Sequence, residues 1–161
     1  MTRVSVTVES DFRSAMRNVA APVSVVTTLV DGRPRGVTVS AFDSLSMNPP
    51  MMTVALQETS SLLSGISVGL PLAINVLRSD QDHLAARFAA HGGDRFTGLD
   101  WTLELGAPRL LDVHAWFAVR VREVVRGGDH AVLVCDVVAA APGSGRPLTY
   151  HGRAYGSHCP N

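Results

Sequence analysis

Two β-rich runs flank Asp31-Gly32 in PVSVVTTLVDGRPRGVTVSAF (22–42), and this dipeptide constrains the fold more than any other local feature. An Asp-Gly pair takes up the positive backbone dihedrals of a two-residue hairpin, so the flanking runs are expected to pair antiparallel. The same β-rich composition returns in MMTVALQ (51–57), LAINVLR (72–78), WTLEL (101–105), AWFAVRVREVV (115–125) and HAVLVCDVVAAA (130–141). RGGD (126–129) reads as the turn joining the last two, and PLTYHGRAYG (147–156) as a short extended piece. Six or seven strands result, with little room between them for helices.

The helical signals are short. Phe12, Ala15, Met16 and Val19 recur at helical spacing after Ser10-Asp11, which reads as an N-terminal cap. TSSLLSGISVG (59–69) reads as a capped short helix ending at Gly69, and SDQDHLAARFAA (79–90) as a second, with Leu84, Ala85 and Phe88 on one face. GGDRFTGLD (92–100) is a loop by its glycines. A doubly wound sheet alternates strands with longer helices, so the pattern favours a mainly β fold: a small barrel with short flanking α-helices.

Composition narrows the class further. The chain has 161 residues, 46% hydrophobic, enough for one domain over 1–161 with a core of its own. Lys plus Arg and Asp plus Glu are balanced at 14 each, which argues against nucleic acid as a partner, and no apolar run approaches the ~20 residues of a membrane span. MTRVSVTVESDF lacks the apolar core of a signal peptide, and Cys135 and Cys159 are the only cysteines, so a cytoplasmic protein with free thiols is expected. The histidines are scattered singly, without metal-ligand spacing, and no metal site is expected.

Chemistry concentrates in GVTVSAFDSLSMNPP (36–50). If 37–42 is a strand, Thr38 and Ser40 share one face while Val37, Val39 and Ala41 share the other; the chain then leaves the strand around Ser44 to Ser46. The hydroxyl face either meets water or receives a polar ligand. A helix start at Thr59-Ser60-Ser61 is either a simple cap or an anion site, because its amide hydrogens are unpaired and its dipole end is positive. His130 follows a turn at the head of an apolar strand, where it is either solvated or able to orient an amide or phosphate. Tyr150, Arg153 and Tyr155 form a terminal cluster suited to tail packing or to stacking on a planar ring.

At these residues the sequence resembles the flavin reductase family, the small split-barrel reductase components of two-component monooxygenases. The likeness spans about residues 10–156 and rests on the order of GVTVSAFDSLSMNPP, AINVL with DQDHLAARFA, GDRFTG, GGDH and PLTYHGRAYG. It implies a Greek-key split β-barrel in which Thr38, Val39, Ser40, Ala41, Ser44, Leu45 and Ser46 hold the flavin ring and ribityl chain. Gln57, Thr59, Ser60 and Ser61 would meet the flavin phosphate, and Arg87, Phe88 and Ala89 would approach the flavin. His130, Arg153 and Tyr155 are implied to contact the nicotinamide nucleotide or close over the ring; none is expected to act as a chemical catalyst.

The implied activity is NAD(P)H:flavin oxidoreduction, with FMN or FAD as flavin and NADH or NADPH as donor. The implied partners are a second copy of the chain, as a homodimer, and a separate flavin-dependent monooxygenase. A split-barrel flavoprotein acting directly on an organic substrate, and a flavin-binding module without turnover, stand as alternatives. Relatives frequently carry lysine near the phosphate where this chain has Gln57-Glu58, so Glu58 is expected to point away and flavin to be held loosely. With no GxGxxG fingerprint, the residues leave the choices of flavin and of nicotinamide nucleotide open.

Overall fold

The computed structural model describes residues 3–161, with side chains described from Thr7 onward. Helix α1 (Arg3–Met16) precedes strands β1 (Ala21–Pro22), β2 (Ser24–Val30), β3 (Arg33–Val39), β4 (Phe42–Met47), β5 (Pro50–Gln57) and β6 (Pro71–Val76). Helix α2 (Asp82–Ala89) follows, then β7 (Trp101–Glu104), β8 (Ala107–Leu110), β9 (Ala115–Gly127), β10 (His130–Pro142), β11 (Leu148–His151) and β12 (Ala154–Ser157). Seven strands form one sheet in the order β3-β2-β6-β9-β10-β5-β4, with antiparallel pairing throughout. Asp31 and Gly32 carry φ of 51° and 71°, as the β2–β3 hairpin requires.

The sheet curls into a split barrel because its two edges are consecutive in the chain. β3 and β4 are joined only by Ser40-Ala41, and the amide of Ala55 in β5 donates to the Ala41 carbonyl at 2.8 Å. The chain therefore crosses the open seam from one sheet edge to the other. Inside the barrel lie Val26, Leu72, Ile74, Val119, Leu133 and Cys135; on the outer face Val25, Ala73, Ala118 and Trp116 pack under α2 and the β7–β8 hairpin. β6 is buried on both faces from Leu72 to Val76, which explains why it reads as a continuous apolar run instead of alternating. Burial also pushes the Cys135 thiol up to about 12, so it stays a protonated small hydrophobe.

Two buried polar residues fix the β7–β8 hairpin to the barrel. Asn75 donates to the Val25 carbonyl at 3.0 Å and accepts the Leu110 amide at 2.9 Å, while the Thr27 hydroxyl donates to the Pro108 carbonyl. Gly36 is equally constrained: a Cβ there would lie 2.8 Å from Phe88 of α2 and 3.1 Å from Thr27. Gly36→Ala is expected to destabilise the fold by about 1–3 kcal/mol, read as a lower urea midpoint at unchanged m-value.

Several expectations are corrected. α1 begins at Arg3, so Ser10 is an interior helix residue whose hydroxyl donates back to the Thr7 carbonyl at 3.0 Å, and not a cap. The chain does not leave the sheet at Ser44–Ser46: these residues belong to β4, an edge strand whose register shifts there, and an edge strand tolerates exposed hydroxyls. No α-helix forms over 59–69. The Ser60 hydroxyl accepts the Leu62 amide at 3.3 Å and the Ser64 hydroxyl donates to the Ser61 carbonyl at 2.9 Å, and such local bonds compete with helical ones; only Leu63–Gly65 makes a single 3-10 turn.

α2 has no side-chain cap. Asp80 instead pairs with Arg78 at 2.8 Å, and Gln81 bridges the Arg78 amide and the Asp112 carbonyl. PLTYHGRAYG is a β11–β12 hairpin and not one extended piece, and its first strand also pairs with β1. β8 was not anticipated as a strand, because APRL carries no alternating pattern.

Candidate functional site

The barrel seam opens into a cavity of about 420 Å³. Its walls are Val37–Ala41 from the end of β3, Ala55–Gln57 from β5, Thr59–Ser61, Phe88 and Ala89 from α2, His91, Gly92 and Arg95 from the following loop, and His130. Thr38, Val39, Ser40, Ala41, Gln57, Thr59, Ser60, Ser61, Phe88, Ala89 and His130 are thus brought together from four separate stretches of chain. Alternation along β3 sends Val39 into the barrel, while the Thr38 hydroxyl donates to the Ala85 carbonyl of α2 at 2.7 Å. Thr38 therefore anchors α2 to the cavity wall instead of meeting water.

The remaining predicted residues lie elsewhere in the chain's own surface. Ser44, Leu45 and Ser46 sit on edge strand β4, outside the cavity walls. The Arg87 guanidinium donates to the Thr97 carbonyl, holding α2 to the 92–100 loop. Arg153 is exposed at the β11–β12 turn with φ of 69°, and Tyr155 packs on Tyr150 with ring centroids 5.4 Å apart; neither lines the cavity.

The 57–61 segment is suited to an anion. Ser60 donates its amide to the Gln57 carbonyl and Glu58 to the Asp129 carbonyl, both at 2.9 Å; among the described residues the amides of Thr59 and Ser61 make no hydrogen bond within the chain. Two free amides and the hydroxyls of Thr59 and Ser61 thus stand at one end of the cavity. None of the lining residues is acidic, and Arg95, His91 and His130 are basic. Glu58, as expected, is turned away, its carboxylate 3.7 Å from Arg126.

His130 is fixed by its register opposite Gln57 and by its neighbour: Nδ1 lies 2.6 Å from the Asp129 carboxylate. The hydrogen bond from His130 holds the Asp129 carboxyl below the usual carboxylate range. An ionised Asp129 can only accept, so Nδ1 carries the proton and Nε2 is left for a ligand.

Arg95 was not anticipated, although GDRFTG was a visible motif. Its guanidinium donates to the carbonyls of Gly36 at 2.8 Å, Phe88 at 3.2 Å and Ala90, so one side chain ties β3, α2 and the loop around the cavity. The loop itself is closed by Asp94, which accepts the Phe96 and Thr97 amides and the Thr97 hydroxyl; these bonds hold its carboxyl below the ordinary value. The signal available in the sequence was a lone arginine between glycines and an aromatic.

A cavity with no acidic lining residue, lined by free amides, hydroxyls, backbone and a rim histidine and set in the seam of a split β-barrel, is suited to an anionic ligand. The chain belongs to the flavin reductase like domain family, whose model matches residues 16–158. It is 35% identical over 152 residues to the reductase component of 4-nitrophenol 4-monooxygenase/4-nitrocatechol 2-monooxygenase of Rhodococcus opacus, covering 94% of this chain and 82% of that one. It is 36% identical over 146 residues to the FMN reductase (NADH) SmoA of Agrobacterium fabrum strain C58, covering 90% and 83%. The crystal structure of a flavin reductase domain protein from Arthrobacter sp. FB24 superposes with a TM-score of 0.87 at 33% identity, covering 95% and 97% of the two chains.

Proposed function

We propose that the chain is an NADH-dependent flavin reductase that supplies reduced flavin to a separate flavin-dependent monooxygenase. The observation that carries this reading is the seam cavity, where one acid-free space adjoins the free amides of Thr59 and Ser61, the backbone of Thr38–Ala41 and the rim imidazole of His130. The residues fit a flavin: the amides and hydroxyls of Thr59 and Ser61 would hold its phosphate, and the backbone of Val39 to Ala41 would face its ring and ribityl chain. Hydride exchange between nicotinamide and flavin is chemistry the bound cofactors supply, so the protein's part is binding, orientation and exclusion of water. No nucleophile or acid pair is required of the chain.

His130, with Nδ1 committed to Asp129, presents Nε2 as an acceptor for an amide N–H, such as the nicotinamide carboxamide. His130→Ala is expected to raise the KM for NADH about fivefold, the worth of one hydrogen bond of about 1 kcal/mol, with the Kd for FMN changed less than about twofold. Unchanged KM would remove His130 from nicotinamide binding. The reading as a whole is tested by NADH and NADPH oxidation with free FMN or FAD: turnover with NADH supports it, and a protein that binds flavin without turnover refutes it.

The same reading makes the molecule a cytoplasmic homodimer. Val8, Phe12 and Met16 on α1 are each about half exposed or more, and Leu45 and Met47 on β4 are likewise exposed. Apolar surface of this kind calls for a covering partner. Light scattering on the eluted protein is expected to give twice the 17.1 kDa chain mass; a monomer would sink the dimer. Among the described residues no helix is long and apolar enough to cross a membrane.

A further inference from the structure

We infer that a second cavity beside the first is the subsite for the adenosine monophosphate half of FAD, and that the chain selects FAD over FMN. This rests on the proposed seating of a flavin in the seam. The second cavity has a volume of about 850 Å³ and shares Ser61, Gly92 and Arg95 with the first. A flavin phosphate on the Ser61 amide stands at the junction of the two. FMN ends at that phosphate; in FAD a second phosphate, a ribose and an adenine continue from it, and the larger cavity adjoins that point through the shared walls.

The walls suit that extension in charge and in polarity. Arg33 and Arg35 are two residues apart on edge strand β3 and so project on one face. Both line the cavity, both are exposed, and neither makes an ion pair or a side-chain hydrogen bond among the described residues. Two unpaired guanidiniums beside one phosphate position match a diphosphate, which each can grip through two parallel bonds. Asp94, the one acid in the wall, is consumed by Thr97 and the Phe96 amide. The lining also holds apolar residues, Phe96 and a half-buried Trp101 set edge-to-face on it with centroids 5.7 Å apart, a surface suited to a purine ring.

The test uses the full chain and its Arg33→Gln/Arg35→Gln double variant, both positions being exposed, with Kd for FMN and FAD read by flavin fluorescence titration. The wild type is expected to bind FAD at least about tenfold more tightly than FMN. The variant is expected to lose roughly 10- to 100-fold in FAD affinity, the range for one or two charge-assisted hydrogen bonds, while its FMN Kd moves less than about twofold. ADP should compete with FAD in the wild type and leave FMN binding unchanged.

Equal wild-type affinity for the two flavins, or an equal loss of both in the variant, would overturn the inference while leaving flavin reduction intact. An unchanged FAD Kd with a raised KM for NADH or NADPH would overturn it by giving the cavity to the nicotinamide dinucleotide. Failure of the wild type to bind either flavin would instead refute the seam reading itself, and this inference with it.

Discussion

Ser61→Asp is expected to raise the Kd for FMN about 100-fold while leaving the Kd for riboflavin, which has no phosphate, within about twofold. The residue stands where two free amides and two hydroxyls meet, in a cavity with no acidic side chain. Unit charges 4 Å apart at an effective dielectric of about 20 interact by about 4 kcal/mol, and the exposure of Ser61 screens part of this, leaving roughly 2–3 kcal/mol against the phosphate. The comparison of the two flavins isolates charge from shape. A matching loss for riboflavin would mean that the substitution had deformed the cavity, and an unchanged FMN Kd would move the phosphate off the 59–61 segment.

The second large effect concerns stability. Phe88 is fully buried; it fills the space left open by Gly36, and meets Phe96 edge-to-face with centroids 5.2 Å apart. Phe88→Ala removes the contact that seats α2 and the 92–100 loop on β3, and it opens the wall shared with the seam cavity. A loss of about 3–5 kcal/mol is expected, or roughly 10 °C in melting temperature, with Phe88→Leu costing less than half as much. Thermal unfolding followed by circular dichroism checks this. A loss below about 1 kcal/mol would show that α2 is held by the Thr38 and Arg95 hydrogen bonds alone.

Legibility in the sequence follows the range of the interaction. The β2–β3 hairpin was readable from Asp31-Gly32, and the buried face of α2 from Leu84, Ala85 and Phe88, because turn dihedrals and helical spacing are properties of neighbouring residues. The segment 59–69 misled for the same reason: its hydroxyls look like a helix cap, yet their local hydrogen bonds stop the helix before it propagates. β4 misled in the opposite direction. Its serines look unlike a strand, and only pairing with β5 at a sheet edge makes it one.

The candidate site divides along the same line. Thr38, Ser40, Ser60, Ser61 and His130 were visible as polar residues beside apolar runs, and the family resemblance implied a flavin as their common ligand. That Asp129 sets the ring of His130 was within reach, since the two are adjacent. Arg95 was not, because its three acceptors lie on β3, α2 and the loop, up to 59 positions away in the chain.

By itself, then, the sequence determined part of the local structure: the β2–β3 hairpin, the buried face of α2, the hydroxyl stretches and the mainly β class. Only the tertiary structure decided that the two sheet edges meet at Ser40-Ala41, that the free amides of Thr59 and Ser61 open into the resulting seam, and that Arg33 and Arg35 line a second cavity beyond them. Those relations depend on strand order and on the curl of the sheet, which long-range pairing sets and no window of neighbouring residues encodes.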